Sequence, residues 1–308
     1  MIRLGLCCIF RDEPIKFRTT TARRLSTLGR EEQLQLLGDI CLHNALSLQE
    51  GLNYCLDNGI GDFRIQSQVN PLRTHPVAGY RLHDLPQHRK IMKVYRECRQ
   101  FNEKHNIRTS FHPDQFIVLS TPHPEVLKSS LAELDYQAEI AEYVGADVIN
   151  IHAGGVYGDR PAALRRLKKQ LDLLPARVRS RITLENDDRN YSVSDLYPLC
   201  KELKIPLVYD VHHHRCLSDE LTITQATILA LKTWNREPLF HISSPKEGWD
   251  NPGQQYHHDY IDIVDFPAVW KDLDITVEIE AKAKEQAIKR LREELASQGV
   301  VILLPGNY

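Results

Sequence analysis

The sequence predicts a (β/α)8 barrel, the TIM-barrel fold, built as a single domain that spans residues 1–308. Three observations support this fold class. Short β-type runs alternate with amphipathic helical stretches along the whole chain, eight such runs fit into its length, and no linker or low-complexity segment divides it. The runs are mostly apolar instead of strictly alternating between polar and apolar residues, which is typical of parallel strands buried on both faces.

Eight runs are predicted to be strands. In chain order they are IRLGLCCI (2–9), DFRIQ (62–66), IRTSFH (107–112), DVINIH (147–152), RITLEN (181–186), PLVYD (206–210), PLFHIS (238–243) and DITVEIE (274–280). Helices are predicted between them, because apolar residues recur at steps of three and four over 34–55 and over 127–144, the second run following a helix start at PEV (124–126). An open, doubly wound sheet is the competing fold. No G-x-G-x-x-G follows the first strand, so neither the nucleotide-binding form of that fold nor a nucleotide cofactor is expected.

Composition restricts the class of protein. Hydrophobic residues make up 42% of the chain and charged residues 26%, as in ordinary globular proteins. The sequence contains no run of about 18 or more apolar residues, so no membrane span is expected. The stretch MIRLGLCCIFRDE lacks the features of a signal peptide, and the seven cysteines include no C-x-x-C pair, so a cytoplasmic protein is expected. The net charge of −2 does not suggest a nucleic-acid-binding protein, although a local basic face would be sufficient for one.

Histidines and carboxylates concentrate where the predicted strands end. In a (β/α)8 barrel these ends form the rim that carries the active site. Seven of the eight strands present such a group at their ends or in the following loop: His75, His112, His152, Glu185, Asp210, His241 and Glu280. One histidine inside an apolar run is usually a hydrogen-bonded core residue, but convergence of this many on one rim favours a metal site, since buried charges need partners.

The stretch LVYDVHHHRC (207–216) adds three histidines directly behind Asp210. A histidine-rich surface turn is the alternative interpretation of this stretch taken alone. Three carboxylates and at least four imidazoles exceed the needs of one tetrahedral ion, so two or three divalent ions are expected. Such paired ions suit phosphoester hydrolysis, and sugar isomerisation at a metal pair is the competing chemistry.

Seven motifs resemble, in order and spacing, those of the UV-damage endonuclease family, which is related to endonuclease IV and to xylose-isomerase-like barrels. They are FRIQSQVNPLRTHP (63–76), SFHPDQF (110–116), INIHAGGVYGDR (149–160), LENDDR (184–189), YDVHHH (209–214), HISSP (241–245) and EIEAKAKE (278–285). The resemblance extends over essentially the whole chain. LENDDR together with HAGG and YDxHHH is very specific, whereas each motif alone is not.

The resemblance implies a ligand set for three ions, with Mn²⁺ as the metal. His112, His152 and Glu185 resemble the ligands of the first ion; a bridging Glu185 with Asp210, His241 and Glu280 those of the second; and His213 with His257 those of the third. Glu185, His241 and Glu280 are the implied catalytic residues. His75 matches a further rim histidine, His258 and Asp259 are substitutes for His257, and His212 and His214 are expected to be loop residues or donors that orient ligands.

The implied activity is hydrolysis of the phosphodiester bond 5′ to pyrimidine dimers and 6-4 photoproducts in duplex DNA, leaving a 3′-hydroxyl and a 5′-phosphate. The implied partner is damaged double-stranded DNA, which would associate the protein with the nucleoid, and the implied oligomeric state is a monomer. Gln115 and Phe116 could fill the gap left by flipped bases. The candidate phosphate contacts, for which a solvated charged face is the alternative, are Arg11, Lys16, Arg18, Arg23 and Arg24 after the first strand and Arg160, Arg165 and Arg166 after the fourth.

The chain departs from the family pattern at three positions. Leu6 and Phe116 stand where tyrosine is common, and Leu239 stands where some relatives have a modified lysine near the metals. These departures leave open a lesion-binding protein that does not cut. Two enzyme alternatives also stay open: a related barrel acting on abasic sites, and a sugar isomerase using Lys282 or Lys284.

Overall fold

Eight parallel strands pair in chain order, and the last pairs with the first, so the sheet closes into a barrel. The structure, a computed structural model, describes residues 1–306. The strands are β1 (Ile2–Cys7), β2 (Asp62–Ile65), β3 (Arg108–Phe111), β4 (Val148–His152), β5 (Ile182–Glu185), β6 (Leu207–Asp210), β7 (Leu239–Ile242) and β8 (Ile275–Ile279). Each lies within one of the eight predicted runs, and the predicted fold class is confirmed.

Within residues 1–306, an α-helix follows every strand except β7, which is followed by two 3-10 turns, and the helices cover the outside of the barrel. They are α1 (Ala22–Leu25), α2 (Arg30–Asp57), α3 (His88–His105), α4 (Pro124–Val144), α5 (Arg160–Asp172), α6 (Ala176–Arg179), α7 (Val193–Leu203), α8 (Val211–Cys216), α9 (Ile223–Leu231) and α10 (Glu285–Ser297). Short 3-10 turns lie at Leu82–Asp84, Ile263–Asp265 and Ala268–Trp270. Among residues 1–306, no helix has both the length and the apolar composition of a transmembrane span.

The two predicted apolar stripes pack against the barrel. The apolar residues of the α2 stripe are buried from Leu37 to Cys55, and those of the α4 stripe are buried from Leu134 to Val144. Helix α4 begins at Pro124, whose fixed φ suits the first helical position. It ends before Gly145, which has φ of +79°, a left-handed conformation that glycine adopts without steric cost.

The barrel interior contains polar side chains that contact one another across it. Ser110 in β3 donates to Glu278 in β8, and Arg64 in β2 lies 3.0 Å from the Nε2 atom of His241 in β7. Because these strands are not neighbours, the contacts pass through the interior. Gly5 makes room for them, since a Cβ atom there would overlap an oxygen of Asp62 and lie 3.1 Å from Glu278 Cγ. A polar layer therefore lies beneath the carboxyl-terminal rim.

Candidate metal centre

The strand ends carry the candidate ligands to one rim of the barrel. His152, Glu185 and Asp210 are the last residues of β4, β5 and β6. His241 lies inside β7, and Glu280 directly follows β8. His112 directly follows β3. The chain passes from β6 straight into α8, and this junction is fixed by the Asp210 carboxylate, which accepts a hydrogen bond from the His213 backbone N–H at 2.8 Å.

Glu185 is the centre of the cluster and is fully buried. Its Oε1 atom lies 3.1 Å from His241 Nδ1 and 3.3 Å from His213 Nδ1. Its Oε2 atom lies 3.0 Å from His112 Nε2 and 3.9 Å from His152 Nε2. Each carboxylate oxygen therefore faces two imidazoles, an arrangement that suits a carboxylate shared between two ions.

Within residues 1–306, three overlapping groups have ligand atoms that all lie within 4.8 Å of one another. They are His112–His152–Glu185, His112–His241–Glu280 and Glu185–Asp210–His213. The first is the set that the family resemblance implied for one ion. The other two distribute the implied ligands differently, because His112 joins His241 and Glu280 while Asp210 and His213 join Glu185.

Several buried polar atoms in this cluster find no hydrogen-bond partner among residues 1–306. They are Asp210 Oδ2, His112 Nδ1 and His152 Nδ1. A buried polar atom without a partner costs free energy, and native proteins rarely leave one unsatisfied. Imidazole nitrogens and carboxylate oxygens together are suitable ligands for divalent ions such as Zn²⁺ and Mn²⁺. The residues present therefore fit a divalent metal centre.

Protons balance the charge of the cluster when no ion is bound. Burial raises the pKa of Glu185, but the neighbouring His241 and His152 and hydrogen bonds from two further histidines outweigh it and hold the pKa well below its usual range. Burial lowers the pKa of His241, but the Glu185 carboxylate outweighs it and raises the pKa to about 10. Burial lowers the pKa of His152. A bound cation would take the place of the proton on His241.

The sequence profile of the family described as UV-endonuclease UvdE matches residues 2–305, nearly the whole chain. This chain belongs to the UvdE family. Its relatives carry the name endonuclease, so the family is one of phosphodiester hydrolases. The UV DNA damage endonuclease of Bacillus velezensis is 33% identical over 313 residues, covering 97% of this chain and 94% of that protein. The UV DNA damage endonuclease of Bacillus cereus (strain Q1) is 30% identical over 291 residues, covering 91% and 89%.

Solved structures agree with the UvdE assignment. The crystal structure of SacUVDE has a TM-score of 0.86 and 26% identity, covering 98% of this chain and 100% of that chain. Endonuclease IV from Thermus thermophilus has a TM-score of 0.57 at 14% identity, covering 96% and 99%. D-psicose 3-epimerase from Clostridium cellulolyticum has a TM-score of 0.55 at 12% identity, covering 98% and 100%. At such low identity the last two show a common barrel fold alone.

His257 lies at the edge of the cluster in this UvdE chain. Its Nδ1 atom is 3.8 Å from Glu280 Oε2, and it lies outside the three ligand groups found within residues 1–306. Its two proposed substitutes make other contacts: His258 Nδ1 accepts from the backbone N–H of Tyr260 at 3.0 Å, and Asp259 lies 3.7 Å from Arg11. These contacts favour His257 over either substitute.

Three further histidines lie away from the ligand groups of the described chain. His75 Nδ1 accepts from the backbone N–H groups of Val77 and Ala78 at 3.2 and 3.1 Å, so it stabilises its own turn. His212 and His214, expected to be loop residues or donors that orient ligands, lie in helix α8, which Asp210 caps. His214 is 3.2 Å from Asp219, a structural contact. His212 is buried, and neither of its ring nitrogens has a hydrogen-bond partner within residues 1–306.

Two asparagines that hold the ligands were missed by sequence reasoning. Asn150 donates to Glu185 Oε2, and Thr183 in turn donates to Asn150 at 2.9 Å. The Asn186 side chain donates to the Asp210 carbonyl at 2.9 Å and accepts from the Asp210 N–H at 3.0 Å. The available signal was strand alternation, which places Asn150 on the same face as His152 two residues later.

Arg64 and Glu278 were also missed. Arg64 NH1 lies 2.7 Å from Glu280 Oε1, and the same guanidinium pairs with Glu278. Glu278 Oε2 in turn lies 3.0 Å from His241 Nε2. The motif EIEAKAKE contains Glu278 two residues before Glu280, so alternation along β8 again offered the only sequence signal.

The candidate DNA contacts are on the same rim but differ in how far their side chains are exposed and in whether they are already bound to another residue. Phe116 is 74% exposed, and Gln115 lines a cleft together with His152 and His213. Arg160 donates two hydrogen bonds to the Asp195 carboxylate, at 3.0 and 2.9 Å, so that carboxylate competes with phosphate for its guanidinium.

The loop after β1 carries exposed cations in this UvdE chain, of which Lys16 donates to the Phe10 carbonyl at 3.5 Å. Lys16 and Arg18 are exposed, and Arg11 is also exposed but lies close to Asp259.

The departures from the family pattern at Leu6 and Leu239 concern fully buried side chains. Leu239 packs with Val148 and Val208 inside the barrel.

Proposed function

We propose that the chain hydrolyses the phosphodiester bond immediately 5′ to UV photoproducts in duplex DNA, leaving a 3′-hydroxyl and a 5′-phosphate, and that it uses two or three divalent ions, Mn²⁺ by preference. Pyrimidine dimers and 6-4 photoproducts are the proposed lesions. The observation that carries the proposal is the convergence of four histidines on the buried carboxylate of Glu185 at the catalytic rim. The names of the curated relatives support damaged DNA as the substrate class.

Eight residues would hold the ions. They are His112, His152, Glu185, Asp210, His213, His241, His257 and Glu280. Bound divalent ions would activate water and neutralise the charge that develops on the reacting phosphate. Glu185 is suited to bridge two ions, since its two oxygens face different imidazoles. One oxygen of Asp210 accepts from the His213 N–H, and the other, Oδ2, has no hydrogen-bond partner within residues 1–306 and would be the oxygen offered to an ion.

The exposed rim would hold the DNA. Lys16 and Arg18 would contact phosphates, and such contacts give affinity without sequence preference. Phe116 would stack against a base whose stacking in the DNA duplex the lesion has already weakened. Gln115 lies beside it in the cleft that also contains His152. A local basic loop is therefore sufficient for DNA binding in a chain whose net charge is −2.

Two other functions have weaker support. A sugar isomerase would rest on the likeness to epimerases, which extends to the fold alone at 12% identity. A lesion-binding protein that does not cut would have no need for the ligand set. Leu6 and Leu239 are fully buried, so their departures from the family pattern remove no side chain from the exposed surface of this chain.

The test is incision of an end-labelled duplex that carries one cyclobutane pyrimidine dimer. We expect a single cut directly 5′ to the dimer with Mn²⁺ and no cut with chelator. Glu185→Gln should abolish the cut, because it removes the charge at the centre of the cluster. Glu237→Gln is the matched control: Glu237 is likewise a carboxylate in an ion pair, with the buried Arg3, but at the opposite end of the barrel.

The outcomes separate the functions. Cutting that survives both chelation and Glu185→Gln would exclude the proposed metal centre as the source of activity. Tight and selective binding without cutting would support the lesion-binding alternative. If the duplex is neither bound nor cut, abasic duplexes and small sugars become the substrates to test.

A further inference from the structure

The imidazole of His241 is held from both sides. Its Nδ1 atom faces the ligand cluster, 3.1 Å from Glu185 Oε1 and 3.6 Å from Glu280 Oε1. Its Nε2 atom faces the barrel interior, 3.0 Å from Glu278 Oε2 and 3.0 Å from Arg64 NH2. Nδ1 is therefore the atom that can reach an ion, and Nε2 is the atom that fixes the ring.

Two arrangements of the ring proton compete in a neutral imidazole. If Nε2 carries the proton and donates it to Glu278, Nδ1 keeps a lone pair for a cation. If Nδ1 carries the proton and donates it to Glu185, Nε2 accepts from Arg64 and the ring cannot bind an ion through Nδ1. The neighbour that controls Nε2 thus decides whether His241 can be a ligand.

The surroundings of Glu278 favour the first arrangement. Glu278 is 1% exposed and accepts a hydrogen bond from the Ser110 hydroxyl while pairing with Arg64. An ionised carboxylate has only acceptor atoms and a guanidinium has only donors, so Nε2 can satisfy only one of these two neighbours. Arg64 already has the carboxylates of Glu278 and Glu280 as acceptors, so it does not need Nε2, and the ring nitrogen is left to donate to Glu278. Gly5 leaves the space that the Glu278 side chain occupies, because a Cβ atom there would lie 3.1 Å from Glu278 Cγ.

We propose that Glu278, paired with Arg64, is a positioning residue that selects the Nε2–H form of His241 and so presents Nδ1 to a divalent ion. This inference rests on the proposed metal centre. A carboxylate that accepts from the far nitrogen of a ligating histidine fixes the ring orientation and raises its basicity, and removing such a group typically weakens metal binding about 10- to 100-fold.

Arg64 contributes in two ways. It pairs with Glu278, which keeps that carboxylate an acceptor, and it reaches Glu280 Oε1 at 2.7 Å. One guanidinium therefore joins the group behind His241 to a candidate ligand beside it. Because the guanidinium is planar and always charged, it holds both carboxylates in fixed relative positions.

The test measures metal binding by the full-length, metal-free chain. Free Mn²⁺ is followed by electron paramagnetic resonance during titration. We expect Glu278→Gln to weaken one class of Mn²⁺ site about 10- to 100-fold. Glu237→Gln, the same change in a carboxylate away from the cluster, should leave every Mn²⁺ affinity unchanged.

A spectroscopic readout reports the ring proton directly. The chain is labelled with ¹⁵N-histidine and loaded with Zn²⁺, and the His241 signals are identified by their loss in His241→Gln. We expect the wild-type ring to carry its proton at Nε2 alone. In Glu278→Gln we expect the proton to be shared between Nε2 and Nδ1. Ser110→Ala keeps all charges and removes one donor to Glu278, so it should weaken Mn²⁺ binding a few-fold even if Glu278→Gln does not fold.

The outcomes distinguish this inference from the proposed function. If the wild-type chain binds no Mn²⁺, the proposed metal centre is wrong and the role of Glu278 is wrong with it. If the wild-type chain binds Mn²⁺ and both variants bind it equally tightly with an unchanged His241 ring, only the role of Glu278 is wrong. Equal weakening in Glu237→Gln would also overturn it, since the effect would then belong to any glutamate that pairs with a buried arginine.

Discussion

The stability of the metal-free protein is expected to fall as the pH rises from 6.5 to 8.0. The reason is His241, whose pKa is about 10 in the folded chain against an ordinary value of 6.5. Folding therefore retains a proton that the unfolded chain releases. The resulting stabilisation is complete below pH 6.5 and is lost as the pH rises through about 10.

Linkage gives the size of this effect. For a pKa raised from 6.5 to about 10, the free energy of unfolding should fall by about 2 kcal/mol between pH 6.5 and 8.0. His213 acts in the same direction: burial lowers its pKa, but Asp210 and Glu185 outweigh burial and raise it well above the ordinary value. Bound ions should reverse the sign, because they need deprotonated ligands and so bind more tightly as the pH rises.

Urea denaturation at several pH values, once with chelator and once with Mn²⁺, measures both slopes. His241→Gln should flatten the slope in chelator, whereas His83→Gln, which alters an exposed histidine, should not. A slope in chelator that persists unchanged in His241→Gln would refute the role given to this proton. Identical slopes with and without Mn²⁺ would refute the assignment of the cluster as the metal site.

Three further predictions concern packing and DNA binding. Gly5→Ala should destabilise the fold by about 1 to 3 kcal/mol in urea denaturation, because the new Cβ atom would overlap Asp62. Phe116→Ala should weaken binding of a dimer-containing duplex roughly 5- to 150-fold in fluorescence anisotropy, the range expected for one stacked base, with stability unchanged. Lys16→Ala should reduce the slope of log K against log salt by about 1, and Arg160→Ala should reduce it less because its guanidinium is already paired with a carboxylate.

Matched controls exist for each of these changes. Gly29→Ala adds a methyl group whose nearest neighbour, an oxygen of Glu32, is 3.6 Å away, so it creates no overlap and should cost less than Gly5→Ala, namely the loss of a glycine at the N-cap of α2. Leu173, 68% exposed, and Lys169, also exposed, lie near the C-terminal end of α5, at the opposite end of the barrel from the rim. Alanine at either position should leave DNA binding and its salt dependence unchanged. Equal effects in variant and control would contradict the corresponding prediction.

The order of the strands could be predicted because each one is a local signal, an apolar run between helical stretches. Their ends were less predictable. The first run extends to Ile9 in sequence, but β1 ends at Cys7 because Cys8 has a φ of +67°, which no apolar pattern reveals. The short helix α8 was missed for a similar reason, since it depends on Asp210 acting as a cap at a strand end.

Most candidate ligands could be predicted because a charged or imidazole side chain at the end of an apolar strand is conspicuous. Arg64 and Glu278 could not, because their contacts run across the barrel between strands that are not neighbours. Alternation along a strand shows that Glu278 and Glu280 share a face but not which side chains they meet. Glu278 and His241 face each other on the neighbouring strands β8 and β7, so their contact follows from the strand register, whereas the contacts of Arg64 with both of them need the closed barrel.

The polar layer beneath the rim connects these observations. An apolar layer would fill the barrel equally well, but it would leave the ligands above it free to rotate and would leave Nε2 of His241 without an acceptor. Such a layer has a cost, since Asp62 is buried with no partner for either oxygen within residues 1–306, and burial raises its pKa well above the ordinary value. Burial also raises the pKa of Glu278, but Arg64 and His241 outweigh it and lower the pKa to about 2. The neighbouring guanidinium therefore holds Glu278 as a hydrogen-bond acceptor that can orient the ring of His241.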